Sequence, residues 1–435
     1  MTTPATGSGK RFAVIGGGLS GIGAAYQLHQ AGHDVEVLEQ DAVLGGRCGF
    51  DTLGGRPIMM GGKNIGRRYY ELRRFIAASG DRAYEPFGIN SSQIVDGTMV
   101  TLDNPGIAGF LRHLLRTGSP VDAARMLYYG ARVRFDERHR YLGSDFFGAV
   151  GARNDAAALS AHFGPDFART VLRPLTVRLN AAEPDEVFLG AFGVSLGMVQ
   201  DRYDQLVDGL QPVLDWFAGQ VRVRLNTRVD RLVVRDGRIT GLDVSDSGGA
   251  ASSTGYDGVV LAIPAHAAAV LLEPVAPALA KLLGEVTYHP STVAVVQYAK
   301  PFFGSTVRSI AFDSGPCSAA GVYGVHDRDI VRYTFSGRAA RPRPDTVQLS
   351  RWIDEAEATV RGHLGGFMPA RVRTESRSWA AAHCAYLPDH AAFLGKVREQ
   401  SDALAGLELA GDYLLGAQLE ACFRSGIAAA RAITR

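Results

Sequence analysis

The sequence predicts an α/β fold organised around a dinucleotide-binding unit, and three observations carry that prediction. A short apolar run, Phe12 to Ile15, enters Gly16-x-Gly18-x-x-Gly21, and a helix-like run follows to Gln30. A second strand-like run, Val35 to Leu38, ends on the acid Glu39, about 20 residues past the glycines. Far downstream, Leu409-Ala-Gly-Asp412 and Leu419-Glu-Ala-Cys-Phe-Arg-Ser-Gly426 read as a strand, a turn and a final helix.

Each part of the first unit has a physical task. Gly16 permits the tight turn, Gly18 lets the backbone approach a pyrophosphate, and Gly21 lets the helix lie against the strand. The helix opening at Leu19 and Ser20 offers free N–H groups to phosphate oxygens, and Glu39, with Gln40 beside it, takes the ribose hydroxyls.

Composition sets outer limits. At 435 residues and 46% hydrophobic the chain is long enough for two domains. Its 46 basic and 44 acidic residues are mixed along the sequence, and no basic block points to nucleic acid or an anionic membrane. No apolar run reaches the length of a membrane span, and residues 1–10 are small and polar, so the expectation is a soluble, cytoplasmic protein with a disordered start. Cys48, Cys317, Cys384 and Cys422 are scattered, which predicts reduced, buried thiols and no metal site.

Leu44-Gly-Gly-Arg47 follows the ribose acid; Asp51 to Gly66 then alternates and breaks on glycines, as a hairpin delivering a loop does. Tyr69 to Ser79 has helical period, and residues 105–172 carry further helical runs that roof a pocket. Leu172 to Asn180 with Glu183-Pro-Asp is either pocket lining or a helix end and a solvated turn. Pro212 to Phe217 reads as helix and leads to a run from Val221 to Val229; strands follow at Arg231–Val234 and Ile239–Val244 around an Asp236-Gly237 turn. Tyr256 to Pro264 is a buried strand ended by proline. Strands at Val293–Tyr298 and Val331–Phe335 and a helix at Leu349–Leu364 complete the pattern before Ser378-Trp379.

The glycine fingerprint, Leu44-Gly-Gly-Arg47 and the 409–430 stretch together resemble the flavin-containing amine oxidase and phytoene desaturase superfamily, closely at 12–66, 221–264 and 376–433. The resemblance implies an FAD-binding Rossmann-like domain of the glutathione-reductase type (1–75, 201–285, 372–435) and a discontinuous mixed α+β substrate domain with a helical insertion (76–200, 286–371). It places Gly46 and Arg47 beside the diphosphate, Gly61, Gly62 and Trp379 at the flavin, and the Val229 backbone at the adenine. Gly411 and Asp412 fall near the ribityl chain, and the helix opening at Leu419 aims its N-terminus at the flavin N1–C2 edge, where reduced flavin carries negative charge.

This sequence departs from the amine oxidase pattern. The lysine that many relatives use near flavin N5 falls at Val293, the two clamping aromatics become His383 and Gln418, the usual proline before Tyr386 is Cys384, and Asn64 replaces a carboxylate-binding arginine. No residue aligns with a flavin-linking cysteine, which implies non-covalent FAD. Lys63, Asn64, His383 and Gln418 remain as a polar set suited to an amide, hydroxyl or ketone. His383 is either a base, with a reference pKa near working pH, or a structural histidine; Lys63 either stands beside N5 or faces solvent. The expectation is a tailoring oxidase of an elaborated amine or amide that passes electrons to O2 or another acceptor, with a homodimer left open. The alternatives are a C–C desaturase, disfavoured by Arg112, Arg116, Arg125, Arg132 and Arg134 in the insertion, and a non-catalytic flavin- or nucleotide-binding protein.

Overall fold

The computed structural model describes residues 9–87, 91–95, 97–101, 118–246, 248–304 and 307–435. The expected disordered start up to Ser8, the helical runs before Gly118, and Arg112 and Arg116 lie outside the described residues. Among the described residues, no helix is long and apolar enough to cross a membrane.

Arg11–Ile15 forms the centre of a five-stranded parallel sheet, in the order Arg222–Arg224, Asp34–Leu38, Arg11–Ile15, Gly258–Leu261, Leu407–Leu409. Phe12, Ala13, Val14, Val259, Val260 and Leu261 are fully buried, as a sheet covered on both faces requires. The expected run from Val221 to Val229 is two strands instead, because Asn226 takes a left-handed conformation (φ 51°) and turns the chain into a separate antiparallel sheet. In that sheet Thr227–Arg235 pairs with Arg238–Asp246 across Asp236-Gly237, both at positive φ, as a tight hairpin turn demands.

A seven-stranded sheet runs Arg371–Ala385, Thr287–Tyr298, Ile330–Phe335, Cys317–Val322, Ser309–Ala311, Ser91–Val95, Thr98–Thr101, antiparallel except between Ser309–Ala311 and Ser91–Val95. Val331, Tyr333 and Phe335 bury one face of it against the helix Thr346–Leu364 through Trp352, Ile353, Ala356 and Val360. Arg332 and Thr334 alternate to the other face. Arg371–Ala385 stays paired with Thr287–Tyr298, across two register shifts, as far as Thr287–Ala385, so the chain leaves this sheet after Ala385. Helices Pro120–Phe135, Asp145–Asn154, Arg173–Asn180 and Phe192–Val199 form a separate layer around Met126, Tyr129, Phe147, Phe167 and Phe192.

The first helix, Leu19–Gln30, and the last, Leu419–Ile433, pack backbone against backbone. A Cβ on Gly426 would stand 1.9 Å from the Ser20 carbonyl oxygen, and one on Gly23 would stand 2.4 Å from that of Phe423. Gly426→Ala forces the two helices apart; the expected loss is about 1–3 kcal/mol, read as a lower urea midpoint. A midpoint equal to wild type would show that the helices are not in backbone contact.

Candidate functional site

One cavity of about 1870 Å³ runs from the glycine turn of the parallel sheet to the open face of the seven-stranded sheet. At the first end Gly16 (φ 101°) makes the turn, and a Cβ there would meet the Ala262 carbonyl at 2.7 Å. Gly21 lies behind the lining: its Cβ would stand 1.8 Å from the Gly16 oxygen. Nothing lies within 4 Å of the place a Cβ would take on Gly18, so the space before the helix N-terminus stays open. Leu19 and Ser20 line that space, and no side chain caps this helix. Glu39 is buried; its carboxylate accepts from the N–H groups of Gly17 (2.6 Å) and Asp41 (2.8 Å), while burial raises its pKa. Gln40 and Val229 complete this end.

The Gly45-Gly46 turn uses left-handed backbone at both positions and brings Gly46 against Gly18. Arg47 then reaches 365 residues along the chain to donate to Asp412 at 2.7 Å, and also donates to the Ala382 carbonyl at 3.1 Å. Asp412 is completely buried and accepts a second bond from the Tyr288 hydroxyl at 3.1 Å. Burial opposes the charge of Arg47 and Asp412 restores it, so its pKa ends above the ordinary value. The sequence places Arg47 and Asp412 separately on the cofactor; it does not reveal that they hold each other, nor that Tyr288 joins them. Open glycines, an uncapped helix N-terminus, a ribose acid and an arginine in one groove fit a dinucleotide diphosphate.

At the second end, Gly61 is required to be glycine by backbone, while a side chain on Gly62 would have to displace the tip of Leu419. A Cβ on Gly61 would sit 1.9 Å from the Arg47 carbonyl, and one on Gly62 would sit 2.8 Å from the Leu419 side chain. Lys63 does not face solvent: it is buried, lies over the Phe87 and Tyr323 rings, and donates to the Tyr323 carbonyl (2.6 Å) and to Gln205 Oε1. Burial, then the nearby Arg332, push its pKa well down. Asn64 Oδ1 is buried without a hydrogen-bond partner among the described residues. Gln418 gives its amide N–H groups to the carbonyls of Val194 (2.9 Å) and Arg140 (3.4 Å), which ties the last helix to the helical layer. His383 lines the cavity opposite His289 in the strand register. Burial, helped by the charge of Arg47, lowers its pKa to about 4, a weaker base than its reference value implies.

Every site residue expected from the sequence lines this cavity except Gly21. Trp379, Gly411 and Leu419 are among them; Met126, Val171, Pro174, Leu175 and Leu179, which were not among the expected site residues, line it as well. Sequence reasoning missed Arg178 and Arg332, which also line the cavity. The signal for Arg178 was present in the Leu172–Asn180 segment. That for Arg332 was hidden, because an arginine alternating with apolar residues in a strand reads as solvent-facing.

Two measurements follow from this arrangement. Arg47→Met strands the buried Asp412 carboxylate and is expected to cost about 3–5 kcal/mol in urea unfolding, with Asp412→Asn costing less; equal small losses would break the pairing argument. His383 and His390 are both held near pKa 4, mainly by burial, against an unfolded value of 6.5. His390 accepts from the Leu387 N–H and donates to the Tyr413 carbonyl, the pattern of a neutral ring. Below pH 6.5 the unfolded chain therefore takes up protons that the fold refuses, and stability falls until about pH 4. The slope of Tm between these limits is expected to be shallower in the His383→Asn, His390→Asn double variant; identical slopes would contradict it.

Comparison with known proteins matches residues 19–434 to the family described as flavin containing amine oxidoreductase. A coproporphyrinogen III oxidase of Mycobacterium tuberculosis is 28% identical, covering 98% of this chain and 97% of that protein. Among solved structures, cyclohexylamine oxidase from Brevibacterium oxydans superposes with a TM-score of 0.76 at 18% identity, over 98% of each chain. A putrescine oxidase bound to putrescine gives 0.76 at 15% identity, over 98% of this chain and 99% of that one. At these identities the solved structures speak to the fold.

Proposed function

The chain belongs to the flavin containing amine oxidoreductase family, and from that premise we propose that it takes a hydride from the carbon of a C–N bond of an elaborated amine or amide, leaving an iminium ion that becomes an imine when its N–H proton is lost to solvent. FAD, the family's cofactor, supplies the hydride acceptor when bound, and O2, reduced to H2O2, or another acceptor removes the electrons. Gly16, Gly18, Leu19 and Ser20 hold the diphosphate, Glu39 the ribose, Val229 the adenine, and Gly61, Gly62, Trp379 and Leu419 the ring. The neutral thiols of Cys48 and Cys422, each raised by burial to about 12, support a non-covalent link.

The observation that carries the substrate reading is the charge of the second end. Arg178 and Arg332, both protonated at neutral pH, come together there beside Lys63, whose pKa burial pushes well down. A positive cavity disfavours an ammonium ion and favours an amide or a neutral amine, whose nitrogen lone pair assists hydride departure. Asn64 lines the cavity and is assigned in this reading to hydrogen-bond the substrate. His383 is neutral and positions the substrate as a hydrogen-bonding group. Gln418 sets the angle of the last helix.

Two domains divide this work in the proposal: 1–75, 201–285 and the chain after Ala385 bind the cofactor, while 76–200 and 286–385 bind the substrate. A place in natural-product tailoring in the cytoplasm suits a substrate of this kind. A second reading, dehydrogenation at carbon as in the phytoene desaturase branch, is supported by Val293 in the lysine position and by the full-length likeness to a coproporphyrinogen III oxidase.

The test is a visible spectrum of the purified protein before and after denaturation, then with amines and amides under air while peroxide is recorded. Flavin released on denaturation, bleached by an amide or amine with peroxide formed, is the expected result. Bleaching without peroxide moves the assignment to the second reading, and a protein that takes up no FAD overturns both.

A further inference from the structure

Arg178 and Arg332 reach the cavity from a helix and from a strand, and each feels the other's charge. Pro174, Leu175, Arg178 and Leu179 line it from one face of the helix Arg173–Asn180, at the spacing of successive turns. Arg332 rises from the sheet, flanked by Thr334 on its own strand and by Val293 on the next.

Neighbouring arginines in the same layers are paired with acids: Arg140 with Asp201 at 3.2 Å, Arg173 with Glu183 at 2.9 Å, Arg371 with Glu357 at 2.6 Å. These two are not. Among the described residues Arg178 has no hydrogen bond or ion pair, and Arg332 gives a single bond, at 2.8 Å, to the Gly61 carbonyl. Four of the acids that line the cavity are engaged elsewhere, Glu39 with backbone N–H groups, Asp412 with Arg47, Asp201 with Arg140 and Asp230 with Arg228, and Asp41 lies at the first end beside Glu39. Burial lowers both guanidinium pKa values to about 10, and the charge of Arg178 presses further on Arg332, yet both remain protonated at neutral pH. Among the described residues no carboxylate lies near enough to offset the cost of burying them, and an unpaired buried charge is destabilising by several kcal/mol.

We propose that Arg178 and Arg332 form an anion-recognition pair, and that the molecule oxidised here carries a carboxylate which they hold while its C–N bond faces the cofactor. This rests on the reading above that the second end of the cavity holds substrate. Guanidinium forks match a carboxylate in two parallel N–H···O bonds, and a low-dielectric wall strengthens them. The diphosphate is not the partner, because its cradle at Gly18, Gly46 and Arg47 lies at the other end.

The test uses the FAD-loaded protein with 2-naphthoate and its neutral counterpart 2-naphthamide, read by thermal shift and by the flavin difference spectrum. The expected result is naphthoate binding at least tenfold tighter than naphthamide. Arg178→Gln and Arg332→Gln each weaken naphthoate by about tenfold or more, and the double variant treats the two probes alike. Without probe, Arg178→Gln melts at or above the wild-type temperature, since an uncompensated charge has gone. Equal affinity for the two probes, no naphthoate binding, or wild-type affinity in both variants overturns the pair. So does an Arg332→Gln variant whose flavin spectrum shifts without probe while naphthoate affinity stays, which would make Arg332 a flavin contact. Probe discrimination with no amine or amide oxidised would sink the reaction proposal and leave the anion pair standing.

Discussion

Backbone contact between the first and last helices is the constraint on which both ends of the cavity depend. Gly23 and Gly426 remove the side chains that would otherwise separate Leu19–Gln30 from Leu419–Ile433. That proximity sets two uncapped helix N-termini onto one groove, one beside Gly18 and the other at Gln418 and Leu419. Two positive helix ends on a single groove make a long site for an extended anionic molecule, and neither end has value there without the other.

Across that groove the Arg47–Asp412 pair does for charge what the glycines do for shape. It joins the turn after the second strand to the turn before the last helix, and Tyr288 extends the bond to the long strand of the other sheet. Three segments far apart in sequence are thereby held by one fully buried carboxylate. Beyond it the balance of charge changes: the acids Glu39, Asp41 and Asp230 line the first end, whereas Arg178 and Arg332 gather at the seven-stranded sheet. The polarity of the cavity follows the direction of the cofactor the family uses.

Much of the first end was legible because its requirements are local. Gly16, Gly18 and Gly21 answer to backbone geometry within six residues, and Asp236-Gly237 answers to a two-residue turn. Long-range facts were not legible in the same way. Asn226 broke an expected strand through a left-handed conformation that composition does not announce. Trp379 and His383 stayed in the seven-stranded sheet because their partner is Thr287–Tyr298, about 90 residues earlier. Gln418, expected at the substrate, lines the cavity but also gives its amide N–H groups to the carbonyls of Arg140 and Val194, a tie across more than 200 residues that no local pattern announces. Arg332 was masked by its own alternation: the pattern of a half-exposed strand is unchanged when a helix covers the polar face.

The chain order of the helix contact has a consequence during synthesis. Leu19 emerges about 400 residues before Leu419, which at roughly 5–20 residues per second is a delay of about 20–80 s. Throughout that interval Ser20, Gly23 and Ala24 present a flat, small-residue stripe with nothing against it, and the parallel sheet lacks its Leu407–Leu409 edge. The nascent chain therefore carries an open docking face for most of its translation, and the last fifteen-residue helix acts as the latch that ends its exposure.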